Sequence, residues 1–408
     1  RKMPHAPQTR PATDDAAEPA SLESLSPPAH DEHARQAFVA ALRKHLMVDM
    51  AQRMPRHYDE QVAPATAGRQ GHAPQDALEV RRAMLAEPYF QAWSALRYSA
   101  QELTWWTVQP QVERALPTLR ETCRSLAARR PAGGTLRLDP ATRIPKEVSA
   151  LDTHLMPGCF HTEFAADDVA QGAVYTLGTA VFGGALKLRT RGGGVAASVA
   201  RWLRATRPGF APRRILDLGC TTGANPLPYL DVFSDAELHG VDIGAPLLRY
   251  AHARAEMLGR KVHYSQQNAE SLDFADGSFD LVVSSFFLHE QSVRSTQQIL
   301  RECRRVLRPG GLMVHMELPP ASETDAYYSF YLDWDAYYNN EPHYAAFRAL
   351  DLREAVCEAG FDGGRYFQTR IPNWGTVSDR EFEDCALGRK PAPAHGNGAS
   401  WFIFGAER

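Results

Sequence analysis

The spacing of apolar residues changes along this chain, and the change divides it into two halves. Up to about residue 206 the apolar positions recur at helical intervals, so that Phe38, Leu42 and Leu46 share one helical face. From residue 214 onward, short apolar runs bounded by glycine alternate with helical stretches. Alternation of short buried strands with helices is typical of an α/β fold. The pattern therefore predicts a helical first half and an α/β second half.

The first half predicts several helices. They cover residues 31–54, 76–86, 89–108, 111–128, 162–186 and 195–206, with loops over 55–75 and 189–194 and a short strand over 135–138. Residues 1–30 are rich in proline, alanine and serine and lack periodicity, which predicts a disordered tail. We expect residues 31–194 to form an all-helical domain. Such a domain is suited to capping a binding site and to serving as a scaffold or an oligomerisation domain, and these roles are compatible. In the oligomerisation role, the protein would form a homodimer.

A strand followed by a tight glycine turn carries the clearest chemical signal. Residues 215–218 predict a buried strand, residues 219–223 a turn bounded by Gly219 and Gly223, and residue 224 onward a helix. Glycine permits close backbone approach, and the free N–H groups of a helix start attract negative charge. This arrangement suits a nucleotide-like ligand. Asp217 is unexpected inside the strand, because a buried carboxylate needs a partner such as a cationic ligand group.

A second strand ends in an acid nineteen residues after Gly223. Residues 237–242 predict a strand that ends at Asp242. In doubly wound folds an acid at this place binds ribose hydroxyls. The dinucleotide fingerprint G-x-G-x-x-G is absent, because the turn reads G-C-T-T-G with Thr221 at the middle glycine. The absence of this fingerprint therefore argues against a nicotinamide-dependent dehydrogenase, which we keep only as an alternative function.

Five segments in order give the chain a family resemblance. The run 217–223 is followed by residues 268–274, 278–290, 308–311 and 358–361. Together they resemble the class I S-adenosylmethionine-dependent methyltransferases, and among these the small-molecule enzymes of the ubiquinone/menaquinone-biosynthesis type. The resemblance covers about residues 212–408. It implies a Rossmann-like seven-stranded sheet in a methyltransferase domain over residues 195–408.

The resemblance also implies a cofactor and its contacts. The cofactor is S-adenosyl-L-methionine, held at its methionine end by the glycine turn, at its ribose by Asp242 and at its adenine by Asn268 and Ala269. Asp217 is expected near the methionine amino group. Asn268 stands where many relatives carry aspartate. The full set of expected cofactor-binding residues is Asp217, Gly219, Cys220, Thr221, Gly223, Asp242, Ile243, Asn268, Ala269 and Ser284.

An aromatic-rich insertion at about residues 321–346 follows a strand predicted over residues 312–317, the fifth of the methyltransferase domain. Residues 327–344 hold six tyrosines, one phenylalanine and one tryptophan, more than a crossover helix needs. Flat, partly polar side chains suit a planar aromatic or heteroaromatic acceptor, and they can also surround a cationic amine. The alternative is an interface with the helices of the first half. The candidate substrate-binding residues are Tyr327, Tyr331, Trp334 and Tyr338.

His289 is the candidate catalytic base. Methyl transfer needs a base only if the acceptor must lose a proton. Residues 278–290 resemble the family's fourth strand and the loop after it. His289 is in that loop, near the edge of the sheet where an acceptor would meet the methyl group. An imidazole can accept a proton near neutral pH. The alternative is a histidine that shapes the loop through a backbone hydrogen bond.

Composition narrows the choice of partners. The net charge of −3 argues against nucleic acid or an anionic membrane as a partner. The sequence contains no run of eighteen apolar residues, so we expect no membrane-spanning helix. The six cysteines are widely spaced, and the first residues lack an apolar signal core, so we expect a cytoplasmic protein without a metal site. We predict methyl transfer to an O, C or N atom of a small, aromatic or heteroaromatic metabolite. The alternative is a non-catalytic S-adenosylmethionine-binding module that acts through a partner protein.

Overall fold

The computed structural model describes residues 21–186, 194–396 and 398–408. Most of the predicted tail and of the 189–194 loop therefore lie outside the described residues. The described chain contains one sheet of eight strands with helices packed on both faces. This confirms the predicted α/β, Rossmann-like class with helices gathered in the first half.

The helices and strands follow in chain order. The helices are α1 (His30–Lys44), α2 (Ala51–His57), α3 (Ala63–Gln70), α4 (Ala77–Met84), α5 (Pro88–Trp106), α6 (Gln109–Arg129), α7 (Lys146–Ser149), α8 (Ala170–Leu186), α9 (Gly194–Thr206), α10 (Pro228–Val232), α11 (Ala245–Met257), α12 (Val293–Val306), α13 (Ala326–Tyr337), α14 (Tyr344–Arg348), α15 (Leu352–Glu358) and α16 (Asp379–Ala386). The strands are β1 (Thr135–Arg137), β2 (Arg214–Leu218), β3 (Glu237–Asp242), β4 (Val262–Gln266), β5 (Phe279–Ser285), β6 (Leu307–Glu317), β7 (Tyr366–Pro372) and β8 (Ser400–Glu407).

The sheet order is β1-β4-β3-β2-β5-β6-β8-β7. Strand β8 runs antiparallel to both of its neighbours, and the other pairs are parallel. The seven strands β2 to β8 are the sheet that the resemblance implies. The eighth, β1, comes from the first half and pairs with β4, so that Leu136 lies opposite Tyr264. The strand order reverses between β2 and β5, which places the topological switch point there.

The side chains of β2 alternate between two apolar layers. Ile215 packs in the layer that contains α9, α10 and α11, whereas Leu216 and Leu218 pack in the layer that contains α12 and α15. Successive side chains of a strand point to opposite faces, so Asp217 shares the face of Ile215. A parallel strand covered on both faces reads as a continuous apolar run, which is why the sequence marks β2 so clearly.

Helix α8 packs closely against α5 and α11, because glycine occupies two positions at which any side chain would clash. A Cβ at Gly172 would lie 2.5 Å from the Cβ of Tyr250 on α11, and one at Gly178 would overlap the ring of Trp105 on α5. Glycine at these two positions therefore allows α8 to approach α11 and α5 closely. Leu247 of α11 belongs to the same apolar cluster as α6 and α8. The two halves of the chain therefore share a core.

Three predictions for the first half need correction. The helix predicted over 162–186 begins only at Ala170, after a segment of turns and bends. Residues 21–30 were included in the disordered tail, but residues 22–25 form a short helix, and Leu22 is buried against α6 and α11. The predicted loop over 55–75 is helical as far as Gln70. Wide π-helical turns at His45–Met50 and Tyr58–Val62 precede Pro55 and Pro64. We attribute the tolerance of these prolines to the neighbouring wide turns, which relax the backbone where a regular helix would clash.

An aromatic cluster joins α5 to α13. The rings of Trp93 and Trp334 stack with centroids 3.9 Å apart, and the Trp334 indole N–H donates to Ser94 Oγ at 2.8 Å. Trp93 is fully buried and donates to the Leu46 carbonyl at 3.0 Å. The cluster thereby fixes the aromatic insertion against the first half.

Trp334→Ala is expected to lower the free energy of unfolding by about 3–5 kcal/mol, because it removes a large buried ring and leaves a cavity. Chemical denaturation measures the change. The control is Tyr337→Ala on the same helix, whose side chain is 67% exposed; it should change stability by less than about 1 kcal/mol. Equal effects of the two substitutions would contradict this description of the cluster.

Among the residues that the structure describes, no helix is both long enough and apolar enough to cross a membrane.

Candidate functional site

A cavity of about 630 Å³ opens at the carboxyl ends of β2, β3, β4 and β5. It lies at the switch point between β2 and β5, where doubly wound folds bind ligands. Its lining comes from both halves of the chain, with Gln101, Trp105 and His154 from the first half and Asp242 and His289 from the second. The volume suits one or two small organic molecules, since ligand pockets usually hold about 300–1,000 Å³.

The glycine turn forms one wall of this cavity. Gly219 and Gly223 have φ angles of +68° and +71°, which side chains disfavour. Both glycines are also enclosed by protein: a Cβ at Gly219 would lie 2.5 Å from the Phe287 ring, and one at Gly223 would overlap the Tyr264 hydroxyl. Thr221 is left-handed too, with φ of +45°. The glycines are therefore required by internal packing as well as by any ligand.

Asp242 ties the turn to the end of β3. Its Oδ2 accepts the Thr221 N–H at 2.9 Å and its Oδ1 accepts the Gly244 N–H at 2.8 Å. The residue is 8% exposed and lines the cavity. Burial raises the pKa of its carboxyl to about 6, against the lowering effect of these backbone hydrogen bonds. Each oxygen keeps a lone pair that a ligand hydroxyl can use.

The segment after β4 forms the next part of the wall. Asn268 and Ala269 line the cavity, as does Ile243 after β3. The Asn268 Oδ1 accepts the Glu270 N–H at 2.9 Å, so this oxygen stabilises the turn after β4. The structure thus brings six of the predicted cofactor residues to one cavity: Gly219, Thr221, Asp242, Ile243, Asn268 and Ala269.

Four other predicted cofactor residues do not line the cavity. Asp217 and Cys220 pack in or against the apolar layer of α9 to α11, and Gly223 lies behind the turn. Ser284 points into the sheet and pairs with His315 Nδ1 at 2.7 Å, whereas its neighbour Ser285 lines the cavity. Successive side chains of a strand point to opposite faces, which explains why Ser285 lines the cavity and the predicted Ser284 does not.

Asp217 is a buried carboxyl without a hydrogen-bond partner. It is 1% exposed, and neither oxygen has a partner among the described residues. Burial, followed by the charge of Asp242, raises its pKa well above the usual value. A carboxyl in such surroundings favours its neutral form. The predicted contact with a cofactor amino group therefore stays a prediction, and the geometry does not bring Asp217 to the cavity.

Helix α13 divides the aromatic insertion between two surfaces. Of the four candidate substrate residues, only Tyr331 lines the cavity in the described structure. Tyr327 and Trp334 pack against the first half, and Tyr338 contacts Tyr98. Sequence reasoning missed the cavity-facing set. Helical spacing could have found it, since it comprises Tyr328, Tyr331, Leu332, Asp335 and Asn339.

His289 forms a pair with Glu317 at the cavity wall. The His289 Nδ1 lies 2.6 Å from Glu317 Oε2, and the other oxygen of Glu317 accepts the N–H groups of Phe287 and Leu288 at 2.9 and 2.6 Å. Glu317 is fully buried at the end of β6. Burial of the imidazole opposes protonation, but the adjacent carboxylate prevails and raises the pKa of His289 to about 9. The carboxylate fixes the ring with Nδ1 toward Glu317.

His154 was not among the predicted site residues, yet it connects both halves beside the cavity. Its Nε2 lies 3.0 Å from Glu290 Oε1, and its Nδ1 lies 2.8 Å from Glu341 Oε1. Burial opposes its charge, but the two carboxylates prevail and raise its pKa to about 10. Its carbonyl accepts the side-chain N–H groups of Gln101 and Trp105 at 2.8 and 2.7 Å. No motif marks this residue, since all of these partners are distant in sequence.

Several known proteins are similar to the second half. Residues 215–311 match a family described as a methyltransferase domain. Demethylmenaquinone methyltransferase from Thermus thermophilus is 38% identical over 110 residues, which cover 27% of this chain and 49% of that protein. The ubiquinone/menaquinone biosynthesis C-methyltransferase UbiE from Vibrio campbellii is 32% identical over 180 residues, 40% of this chain and 68% of that protein. The solved YcgJ protein from Bacillus subtilis overlays with a TM-score of 0.34 at 21% identity, covering 52% of this chain and 98% of that one.

The family assignment rests on the sequence relatives. The matched family region runs from β2 into β6, and so includes the glycine turn, Asp242 and His289. The chain spans about half the length of the Thermus relative and two thirds of the Vibrio one. The chain belongs to the class I S-adenosylmethionine-dependent methyltransferases.

Proposed function

We propose that this protein transfers a methyl group from S-adenosylmethionine to an O, C or N atom of a small aromatic or heteroaromatic acceptor. One observation carries the proposal. A single cavity joins the glycine turn and Asp242 to the His289–Glu317 pair and to Tyr328 and Tyr331. A cofactor bound at the glycine turn would then share one enclosure with His289 and the tyrosine wall, as direct transfer between two bound molecules requires.

The residues at one end of the cavity fit the cofactor. Asp242 offers free carboxylate lone pairs to ribose hydroxyls. Val241 and Ala269 give an apolar wall for the adenine, and the left-handed turn at Thr221 leaves room for the methionine end. Tyr175 of α8 lines the same end and lies close to the Thr221 side chain. We therefore propose that the first half contributes to this end as well.

The chemistry then divides between cofactor and protein. The cofactor supplies an activated methyl group on a sulfonium. His289 would accept the proton that the acceptor loses, through Nε2, while Glu317 orients the ring through Nδ1. Partial enclosure by both halves limits water near the reacting atoms. A base with a pKa near 9 matches a weakly acidic acceptor such as a phenol or quinol hydroxyl.

The first half would act as a cap over the acceptor. Gln101, Thr104 and Trp105 of α5 line the cavity opposite the sheet, and His154 joins this wall to Glu290 and Glu341. The names of the two relatives refer to quinone biosynthesis, which supports a ring-shaped acceptor of that chemical type. In the alternative, a non-catalytic module, the His289–Glu317 pair would only shape the loop after β5.

Product formation tests the proposal. The purified chain is incubated with S-adenosylmethionine and a panel of phenols, hydroquinones and heteroaromatic amines, and S-adenosylhomocysteine is measured by mass spectrometry. Acceptor-dependent product in the wild type, lost in His289→Ala, is the expected result. Cofactor binding without product from any panel member or from cell extract would favour the non-catalytic alternative.

Asp242→Ala is expected to weaken S-adenosylhomocysteine binding by about 1.5–3 kcal/mol, roughly 10- to 150-fold, because it removes a charged hydrogen-bond acceptor from the ribose position. Isothermal titration calorimetry measures the affinity. Asp273→Ala is the matched control, since its exposed carboxylate pairs only with Arg137 among the described residues; it should bind normally. Unchanged affinity in a folded Asp242→Ala protein would remove Asp242 from the cofactor site.

A further inference from the structure

Arg43 of α1 brings a buried positive charge to the acceptor end of the cavity. The residue is 1% exposed and lines the cavity beside Gln101 and Thr104. Among the described lining residues it is the only arginine, and no lysine accompanies it. Burial of an ionised group is unfavourable unless a partner compensates its charge. The contacts of the Arg43 guanidinium therefore decide whether its charge is compensated within the protein.

All hydrogen-bond partners of Arg43 in the described structure are neutral. Its Nη1 donates to Gln101 Oε1 at 2.6 Å and to Thr104 Oγ1 at 3.3 Å. The guanidinium lies 4.4 Å from the centre of the Phe182 ring. Its Nη2 is buried and has no hydrogen-bond partner among the residues that the structure describes. No described carboxylate lies within ion-pair distance of Arg43, which leaves its charge without a counterion.

The neighbouring charges do not supply that counterion. Asp335, the nearby acid, is bound to the buried Arg97, whose Nε donates to it at 2.8 Å. Two guanidinium groups thus share the surroundings of one carboxylate. Burial and then the charge of Arg97 lower the pKa of Arg43 to about 9. Glu290 and Glu341, which also line the cavity, are bound to His154. Among the described residues, Arg43 and Arg97 therefore share the single carboxylate of Asp335, so this cluster carries one excess positive charge, whereas the other lining acids, Glu147 and Asp242 among them, have no ion pair with Arg43.

We propose that Arg43 recognises an anionic oxygen group of the carboxylate class on the methyl acceptor. This inference rests on the proposed function and specifies the class of its substrate. An acceptor carboxylate would pair with the guanidinium, and the neighbouring Gln101 and Thr104 fix the position of that guanidinium. The aromatic part of the acceptor would then lie along Phe182 and Tyr331, which line the same cavity. A neutral analogue would leave the buried charge unpaired, so the pocket discriminates against it.

Removal of the Arg43 guanidinium should leave both of its partners, Gln101 and Thr104, with another hydrogen bond. Gln101 Oε1 also accepts Arg97 Nη1 at 3.0 Å, and the Thr104 hydroxyl donates to the Ala100 carbonyl at 2.9 Å. Arg43→Met keeps most of the volume and creates no orphaned partner. Replacement of a buried charge by an apolar residue of similar size is often neutral or stabilising. The variant is therefore expected to fold.

The experiment compares benzoate with benzamide, probes of the same shape that differ in charge. Affinities are measured by calorimetry for the full chain with and without saturating S-adenosylhomocysteine. The wild type is expected to prefer benzoate at least tenfold, Arg43→Met to lose that preference, and Arg43→Lys to keep part of it. The control Arg53→Met, at an exposed position, should keep all of it. Equal binding of the two probes by the wild type, or an undiminished preference in Arg43→Met, would overturn the proposal.

Thermal melting gives a second, independent readout. Without ligand, Arg43→Met is expected to melt at or above the wild-type temperature, and benzoate should raise the melting temperature of the wild type alone. A large fall in the melting temperature of the ligand-free variant would show that Arg43 serves the fold, which overturns the proposal. Failure of the wild type to bind S-adenosylhomocysteine would instead contradict the proposed function. The two failures are thus distinguishable, because the benzoate preference is also read without the cofactor product.

Discussion

Gly219→Val and Gly223→Val are each expected to abolish detectable S-adenosylhomocysteine binding and to destabilise the protein. Both positions have left-handed backbone, which costs a β-branched residue about 1–2 kcal/mol. The new side chains would also overlap Phe287 and Tyr264, respectively, and such overpacking typically costs about 1–3 kcal/mol. We expect about 2–5 kcal/mol of lost stability for each, measured by denaturant unfolding, and no binding heat in calorimetry.

The control for these substitutions is Gly209→Val. Gly209 lies before β2, its φ is not in the left-handed region, and a Cβ added there would meet no heavy atom within 4 Å. This variant should fold and bind normally. Normal binding by both Gly219→Val and Gly223→Val would contradict the account of the glycine turn, since it would show that neither the backbone conformation nor the packing there is required.

His289→Ala is expected to reduce kcat by about 10²- to 10⁴-fold, the usual contribution of a general base. Affinity for S-adenosylhomocysteine should change little, because the proposed cofactor contacts are at the glycine turn, Asp242, Asn268 and Ala269 rather than at His289. Glu317→Gln should also reduce kcat, since an amide N–H facing Nδ1 would hold the ring with its proton on Nε2. Unaltered kcat in folded His289→Ala, with saturating acceptor, would assign the residue to shaping the loop.

The pH dependence of the rate follows from the same pair. Because the pKa of His289 is raised to about 9, the base is protonated at neutral pH, and the rate should rise as pH increases through about 9. In Glu317→Gln the midpoint should move down toward 6.5, the usual histidine value. The stability contribution has the opposite dependence: it is fully present below pH 6.5 and is lost as pH rises through about 9. Measurements of the rate and of the free energy of unfolding over about pH 6–10 test the expected rise in rate and the expected loss of stability.

Strands β2 and β3 were predictable from sequence because local patterns encode them, whereas β4 was not predicted. A parallel strand buried on both faces, such as β2, appears as a short apolar run next to a glycine turn. Asp242 was recognisable because it ends β3 at a fixed distance from that turn. Ser284 was assigned one residue away from the cavity-lining Ser285, because a strand pattern gives alternation but not which face a ligand uses.

The residues that sequence could not reveal depend on distant contacts. His154 becomes a site residue only through Glu290 and Glu341, and Arg43 only through the enclosure built by α5 and α8. Glu317 looks like an ordinary strand end until its bonds to the loop of His289 are seen. These clusters are built by contacts between residues that are far apart in sequence, and no local sequence pattern records such contacts.

A crystal structure of the full chain with S-adenosylhomocysteine tests the central claim most directly. We expect the adenine against Asn268 and Ala269, the ribose hydroxyls on Asp242, and the sulfur facing the part of the cavity that holds His289 and Tyr331. Density for the ligand outside this cavity, or in it with the ribose away from Asp242, would contradict the account.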